Sequence, residues 1–239
     1  MELALEAEVS TRHLSFVETG RARPSREMVV RLAEHLDVPL RERNALLLAA
    51  GYAPAYPESS LEDAELGQVR EAIRRLLVAH EPFPAVAVDR RWELVDGNAG
   101  VPLITAGAAA HLLEPPVNAL RLSLHPEGMA PRIANLAEWR GHVLGRLRRE
   151  VTATQDPQLK ALLAELSEYP GGIEPEPHLP RHGEIVVPLR LRSDAGELTF
   201  MSTVTTFGTP LDITVSELSI EAFFPADDHT SAVLRAAMG

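Results

Sequence analysis

Between Val9 and Ser25 the chain reads Val9-Ser10-Thr11-Arg12-His13-Leu14-Ser15-Phe16-Val17-Glu18-Thr19-Gly20-Arg21-Ala22-Arg23-Pro24-Ser25. Ser10 is of the type that caps a helix, because its hydroxyl oxygen accepts a bond from a free N–H two or three residues on. Leu14 and Val17 lie three apart and turn to one side, which leaves Thr11, Arg12, His13 and Ser15 toward solvent or a groove. Gly20 supplies a left-handed stop, and Pro24 forbids the helix from running on. Short polar side chains at a helix N-terminus, with an arginine among them, can reach base edges in the major groove of DNA. Arg21 and Arg23, just beyond, can grip phosphate. The candidate DNA contacts are therefore Ser10, Thr11, Arg12, His13, Ser15, Phe16, Arg21 and Arg23. An ordinary capped surface helix would carry the same pattern, and Phe16 suits either a thymine methyl or a buried position.

A second set of residues lies between Asn118 and Glu150. Arg132, Leu136, Trp139, Val143 and Leu147 recur at helical spacing, with Asn135 beside them. An apolar wall with one Arg and one Asn at its mouth suits a small hydrophobic carboxylate. The Arg supplies a charge-assisted bond, and the wall buries the hydrocarbon. Leu189, Phe200, Met201 and Phe207, on later strand-like segments, can complete that wall. The candidate ligand contacts are Arg132, Asn135, Leu136, Trp139, Val143, Leu189, Phe200 and Phe207. The same residues would equally make ordinary core, with Arg132 capping a turn or pairing with an acid.

Other chemistry is poorly represented. His178 and His182 are four apart, but Pro180 between them prevents the regular helix that would align two ligands, and the chain has no cysteine. His125, before Pro126, is expected to fix a loop. Neither a metal nor a cofactor is therefore expected. The chain shows no nucleophile elbow, P-loop or glycine-rich dinucleotide fingerprint, so no catalytic residue is assigned and an enzyme is not expected.

The first candidate set needs a small helical scaffold. Leu3 to Val9 fits a short positioning helix with Leu5 and Val9 on one face. Ser25 caps a segment in which Met28, Val29, Leu32, Ala33 and Leu36 follow helical spacing. A further helix runs from Leu40 to Ala50 and stops at Gly51. Short capped helices in this succession make an all-helical bundle. With "VSTRHLSFVETGRARPS" followed by "LAEHLDVP", the segment resembles the phage-repressor-like (XRE) class of helix-turn-helix proteins. The resemblance implies double-stranded DNA as partner and a homodimer matched to two-fold operators. It also implies one more helix ahead of the motif, which the chain beginning at Met1 is expected to lack. Glu8 stands where the class often has glycine. The alternative is a ligand-binding or sequestering module whose shortened helix-turn-helix no longer binds DNA.

The remainder reads as a second domain. At 239 residues there is room for two modest domains, and the apolar fraction of 45% is that of a globular protein. "PAYPESS" from Pro54 to Ser60 marks the break, and Leu66, Val69, Ile73, Leu76 and His80 mark one face of a connecting helix. Two short strands follow at Ala85–Asp89 and Trp92–Val95, about a tight Arg90-Arg91 turn. Asp156 and Pro157 start a helix with Leu159, Leu162, Leu163 and Leu166 on one stripe. Alternation from Ile185 to Leu191 and from Leu198 to Val204, split by a turn at Ser193–Gly196, predicts a hairpin. A third strand is predicted to start at Ile213 and Val215, with a bulge near Ser216-Glu217.

This order, with Asn98 after the second strand, resembles a PAS-like sensor fold, and more specifically the MmyB-like ligand-binding family of bacterial transcription regulators. The resemblance rests on "VDRRWELVDGNAG", "LRLSLHPEGMAPRIANLAEWRGHVLGRLRRE", "DPQLKALLAELSEYP" and the stretch from Ile185 to Asp228. It implies a transcription regulator whose pocket holds a fatty-acyl-like molecule. The expected architecture is α+β: an all-helical helix-turn-helix domain over 1–56, a linker and connecting helix over 57–82, and a PAS-like domain over 83–239 with one antiparallel sheet and flanking helices.

Charge and hydropathy restrict the setting. The net charge is −11, yet residues 1–56 hold seven arginines against eight acids. The excess acid lies from residue 150 onward, with fourteen acids against five bases. A nearly neutral module can still present a local basic face, with weak non-specific affinity for DNA. The longest apolar stretch, Val101–Leu113, is broken by Thr105 and His111, so no membrane span is expected. The start of the chain is acidic and lacks a secretory pattern, and the expected location is the cytoplasm.

Overall fold

The computed structural model describes residues 9–172 and 186–238. The positioning helix expected over Leu3–Val9 falls, apart from Val9, outside these residues, as do His178, His182 and Ile185. The chain divides into two compact units. One holds the residues up to Gly67 together with Phe207–Glu217, and the other holds Gln68–Thr206 and the residues from Leu218 on.

The first unit is helical, with α1 over Thr11–Glu18, α2 over Arg26–His35 and α3 over Leu40–Ala49. The caps read from the sequence are made. The Ser10 hydroxyl accepts from the His13 N–H at 3.1 Å, and Ser25 accepts from Met28 at 3.2 Å. Past α1, Gly20 has a φ of 70°, and this left-handed residue lets the Arg21 and Ala22 amides fold back onto the Phe16 carbonyl at 2.7 and 3.1 Å. Met28, Val29 and Ala33 from α2 and Leu40 and Leu47 from α3 are buried. The Asn44 side chain then organises the segment after α3. It accepts from the Ala55 and Tyr56 amides at 2.8 and 3.1 Å and donates to the Tyr56 carbonyl at 2.7 Å.

Residues 207–217 depart from the sequence expectation. Ile213 and Val215 begin no strand, and there is no bulge at Ser216-Glu217. Asp212 accepts from the Val215 N–H at 3.3 Å and starts a four-residue helix, α9 (Ile213–Ser216), which buries Ile213 and Val215. A side-chain cap satisfied locally thus outcompetes the β-preference of Ile, Thr and Val. The segment is bound within the first unit: the other Asp212 oxygen accepts from Ser59 N–H at 3.0 Å, and Ile213 N–H donates to the Pro57 carbonyl at 2.9 Å. Arg41 of α3 grips Glu217 with two bonds of 2.7 and 2.9 Å while also donating to Glu58 at 3.0 Å. Such a bidentate pair fixes orientation as well as distance.

The second unit is built on five antiparallel strands in the order β2-β1-β5-β4-β3, with β1 over Ala85–Val88, β2 over Leu94–Gly97, β3 over Leu189–Ser193, β4 over Gly196–Thr206 and β5 over Ser219–Pro225. The β3–β4 hairpin turns where the sequence predicted, pairing Leu189 with Phe200 and Leu191 with Leu198. The third strand of the tail is β5, and it lies between β4 and β1. The helices are α4 (Gly67–Ala79), α5 (Val101–Thr105), α6 (Ala119–Leu124), α7 (Leu136–Thr154), α8 (Pro157–Glu168) and α10 (Asp228–Met238). The core joins Leu189, Leu191, Leu198 and Phe200 of the sheet to Leu144 and Leu147 of α7, Leu166 of α8 and Leu234 of α10. The fold is α+β, with the helical region first and the single sheet with flanking helices second. Among the described residues no helix is long and apolar enough to cross a membrane.

Two arginines lock α6, α7 and α8 together. Arg140 is buried and donates to the Ser167 carbonyl at 2.8 Å, closing the C-terminal end of α8 where carbonyls lack helical partners. Arg121 holds Glu165 with bonds of 2.7 and 2.8 Å, and Tyr169 donates to the same carboxylate. The Arg121 bonds keep the Glu165 carboxyl below the usual carboxylate range, while burial and that carboxylate push the Tyr169 phenol up to about 12. A depressed carboxyl pKa adds stability above the unfolded value, and that stability is lost as pH falls through the folded one. Wild-type protein is therefore expected to have a higher urea midpoint than Glu165→Gln at pH 7, with an unfolding free energy larger by no more than about 1 kcal/mol for so exposed a pair. The difference is expected to shrink as the pH falls below the ordinary glutamate pKa of about 4.3 and to vanish only below the lowered folded value. A gap that does not change with pH would separate the effect from the ion pair.

Candidate functional site

The polar face of α1 is in place. Ser10, Thr11, Arg12 and Ser15 are exposed, as are Arg21 and Arg23 beyond the turn, while His13 and Phe16 are half-buried. Phe16 does not vanish into a core: the Arg12 guanidinium lies 5.4 Å from its ring centroid, so the ring supports the arginine from below. Thr19 donates its hydroxyl to the Ser15 carbonyl at 2.7 Å and finishes the helix. The result is a short capped helix that shows hydroxyls and one braced guanidinium, with two further guanidinia one turn away. That set can hydrogen-bond base edges and phosphates together.

A cavity lies within the second unit. Its walls are Val86, Leu94, Ile104, Leu120, Met129 and Phe223 among others, closed by Trp92 and Trp139. The space free of atoms is about 790 Å³, its open mouth included. Both tryptophans of the chain thus face one cavity.

The cavity's polar end is made by α7 and β5. The Trp139 indole donates to the Ser123 hydroxyl at 2.9 Å, and the His142 ring stacks on Trp139 with centroids 5.6 Å apart. Burial, with Arg146 and Arg149 nearby, lowers the His142 pKa and favours the neutral imidazole. Arg146 sits over the Trp92 ring at 4.2 Å, pairs with Glu150 at 3.3 Å and approaches Glu221 at 4.0 Å. Glu150 in turn accepts from the Trp92 indole at 2.8 Å. Burial pushes the Glu221 carboxyl up, opposed by Arg146 and by a hydrogen bond from Ser202. Its side chain is 13% exposed.

Of the ligand contacts expected from sequence, Trp139, Val143 and Leu189 are on the cavity wall. Arg132 is elsewhere. It belongs to a 3-10 turn ahead of α7, and its guanidinium donates to the Ile104, Ala106 and Arg192 carbonyls at 3.1, 2.7 and 3.1 Å. Asn135 is equally occupied, donating to the Pro188 carbonyl at 2.8 Å and accepting from Arg190 N–H at 3.2 Å. Leu136 packs at the core's edge, and Phe200 is fully buried against Phe223. Phe207 belongs to the first unit. The sequence reading missed Trp92, His142, Arg146 and Glu221. A signal existed for two of them, since Trp139, His142, Val143 and Arg146 follow the same spacing of three and four.

His111, His125 and Glu127 bring possible metal-binding atoms within 4.8 Å of one another. However, the His125 Nδ1 accepts from the Glu127 N–H at 3.0 Å, which places that ring's proton on Nε2. The ring also packs edge-on against Tyr169 at 5.0 Å. In this arrangement His125 fixes its loop.

Comparison with known families gives two matches. A helix-turn-helix model matches residues 2–43, and a model of the MmyB-like transcription regulator ligand binding domain matches residues 69–237. No curated protein matches the chain. Among solved structures, an RNA-binding light-oxygen-voltage receptor aligns at 15% identity, over 98% of this chain and 54% of that one. The chain thus spans about half the length of that protein, and a TM-score of 0.27 is too low to support a shared fold.

Proposed function

This chain belongs to the family of the MmyB-like transcription regulator ligand binding domain, and we propose that it binds specific operator DNA in response to a small apolar ligand. The helix-turn-helix match and the ligand-binding match together describe a ligand-responsive transcription regulator. The finer reading is ours. Helix α1 enters the major groove with Thr11, Arg12 and Ser15 toward base edges, and Arg21 and Arg23 hold phosphate. The sensor takes a fatty-acyl-like molecule into the tryptophan-walled cavity, the protein acts in the cytoplasm, and two copies pair on a two-fold operator. One observation carries this reading: an apolar cavity with a few polar groups at one end, in a chain that also presents a capped polar helix.

Selection of genomic DNA fragments at moderate salt supplies the operator for the test. Arg12→Ala is expected to weaken binding to the selected site by about tenfold or more, the loss of one good base contact. Random duplex, held through phosphate, is expected to lose much less. Equal losses on both would leave Arg12 as a phosphate contact only and remove the base-reading role.

A further inference from the structure

Two neighbouring strands of the sheet are joined through the other unit. β4 ends at Thr206 and β5 begins at Ser219, and the residues between them, Phe207–Glu217, belong to the first unit. Glu217 is followed by the buried Leu218 and then by β5. Four positions past Glu217 stands Glu221, and two further on Phe223, both on the cavity wall. An extended chain covers at most about 3.6 Å per residue, so Glu221 lies within about 14 Å of Glu217. β5 is bonded to β1 on one side and to β4 on the other, so it passes a displacement along its length instead of absorbing it by bending. At the far end of this route Glu217 takes two bonds from Arg41, in the first turn of α3. Beyond α3, the Tyr52 hydroxyl donates to the Pro24 carbonyl at 2.9 Å. Pro24 stands between Arg23, the proposed phosphate contact, and Ser25, the cap of α2.

We infer that the Arg41–Glu217 pair is a coupling link, through which the β4–β5 connection carries the state of the cavity wall to the DNA-binding helices. The inference rests on the reading of the chain as a ligand-responsive DNA binder. A ligand alters operator affinity only through an element whose equilibrium both sites bias. The connection is placed for that role by chain continuity, because its two ends are strands of the sensor sheet and its middle is part of the helical unit. A shift of β5 displaces Glu217, and two bonds in one plane force Arg41 to follow or to let go. Glu58 already accepts from Arg41 at 3.0 Å, so letting go does not leave the guanidinium without a carboxylate.

The test is a double-substitution cycle in the full chain, read as affinity for the selected operator. Phe223→Leu alters the cavity wall on β5, and Glu217→Gln breaks the link while keeping the size of the side chain. Phe223→Leu alone is expected to change operator affinity by about fivefold, within the range for substitutions along a coupling route. Beside Glu217→Gln the same substitution is expected to change it by less than about twofold, as independent sites do. Where Phe223→Leu lacks the circular dichroism of the folded protein, Phe223→Met takes its place, since methionine fills irregular gaps. No effect of the wall substitution in the otherwise intact chain overturns the coupling, and an equal effect in both backgrounds overturns the route through Arg41. Loss of operator binding in Glu217→Gln by itself would make the pair a brace of the first unit and overturn the link. A wild-type chain that selects no operator would remove the DNA-binding reading, and this link with it.

Discussion

Replacing Asn98 by alanine is expected to lower the stability of the second unit by about 3–5 kcal/mol, since removing the partner of a buried polar group costs about 1–3 kcal/mol each time. Asn98 is 7% exposed and uses both ends of its amide. Its Oδ1 accepts from the Ala85 and Gly100 amides at 3.0 and 3.1 Å. Its Nδ2 donates to the Phe83 and Leu77 carbonyls at 2.8 and 3.0 Å. The Leu77 carbonyl keeps a bond from His80, but the other three groups lose the partner they have here. One side chain thereby ties the start of β1, the end of β2 and the end of α4. Asn98→Asp has nearly the same shape and is expected to be as damaging, because an oxygen then faces two carbonyls. Urea unfolding followed by tryptophan fluorescence reads this directly, as both tryptophans lie in this unit. A loss of about 0.5 kcal/mol or less, that of an ordinary surface change, would show that water replaces the amide and would remove Asn98 as the clamp.

The second large effect is expected in the first unit. Leu47 is completely buried, and truncation of such a leucine to alanine costs about 3 kcal/mol or more through lost transfer energy and the hole left behind. A helical unit this small rarely has more than about 3–5 kcal/mol to lose. Leu47→Ala is therefore expected to unfold the first unit at room temperature and abolish selection of operator DNA. The tryptophan emission, which comes from the second unit, is expected to stay that of the wild type. Joint loss of both signals would mean that the two units unfold as one, and would overturn the division.

These expectations differ in how far they could be read without a structure. The caps at Ser10, Ser25 and Asp156 were legible because a cap is a bond between residues two or three apart. The β3–β4 hairpin was legible because alternation and a turn are local too. The same local logic misplaced residues 213–216, where two opposing local signals met: β-branched residues and an aspartate cap. Asn98 was visible as a position after a strand, yet its four bonds reach 2, 13, 15 and 21 residues away, which no spacing announces.

The sequence by itself determined the α+β order of elements, the capped polar helix with Arg12 at its face, and the presence of an apolar helix stripe around Trp139 and Val143. Tertiary structure alone decided which arginine meets the cavity. Arg132 and Arg146 are equally plausible from spacing, since a charge at the edge of an apolar stripe can turn either way. Arg132 found carbonyls 26, 28 and 60 residues away and is spent on them, whereas Arg146 was drawn over Trp92 and between two carboxylates. Tertiary structure also gave Phe207–Glu217 to the first unit, through bonds from Arg41 and Ser59 to residues more than 150 positions on. Local hydrogen bonds and periodicity act over a few residues and can be read along the chain. The partners that desolvated charges find depend on which distant surfaces come together, and only the folded molecule brings them there.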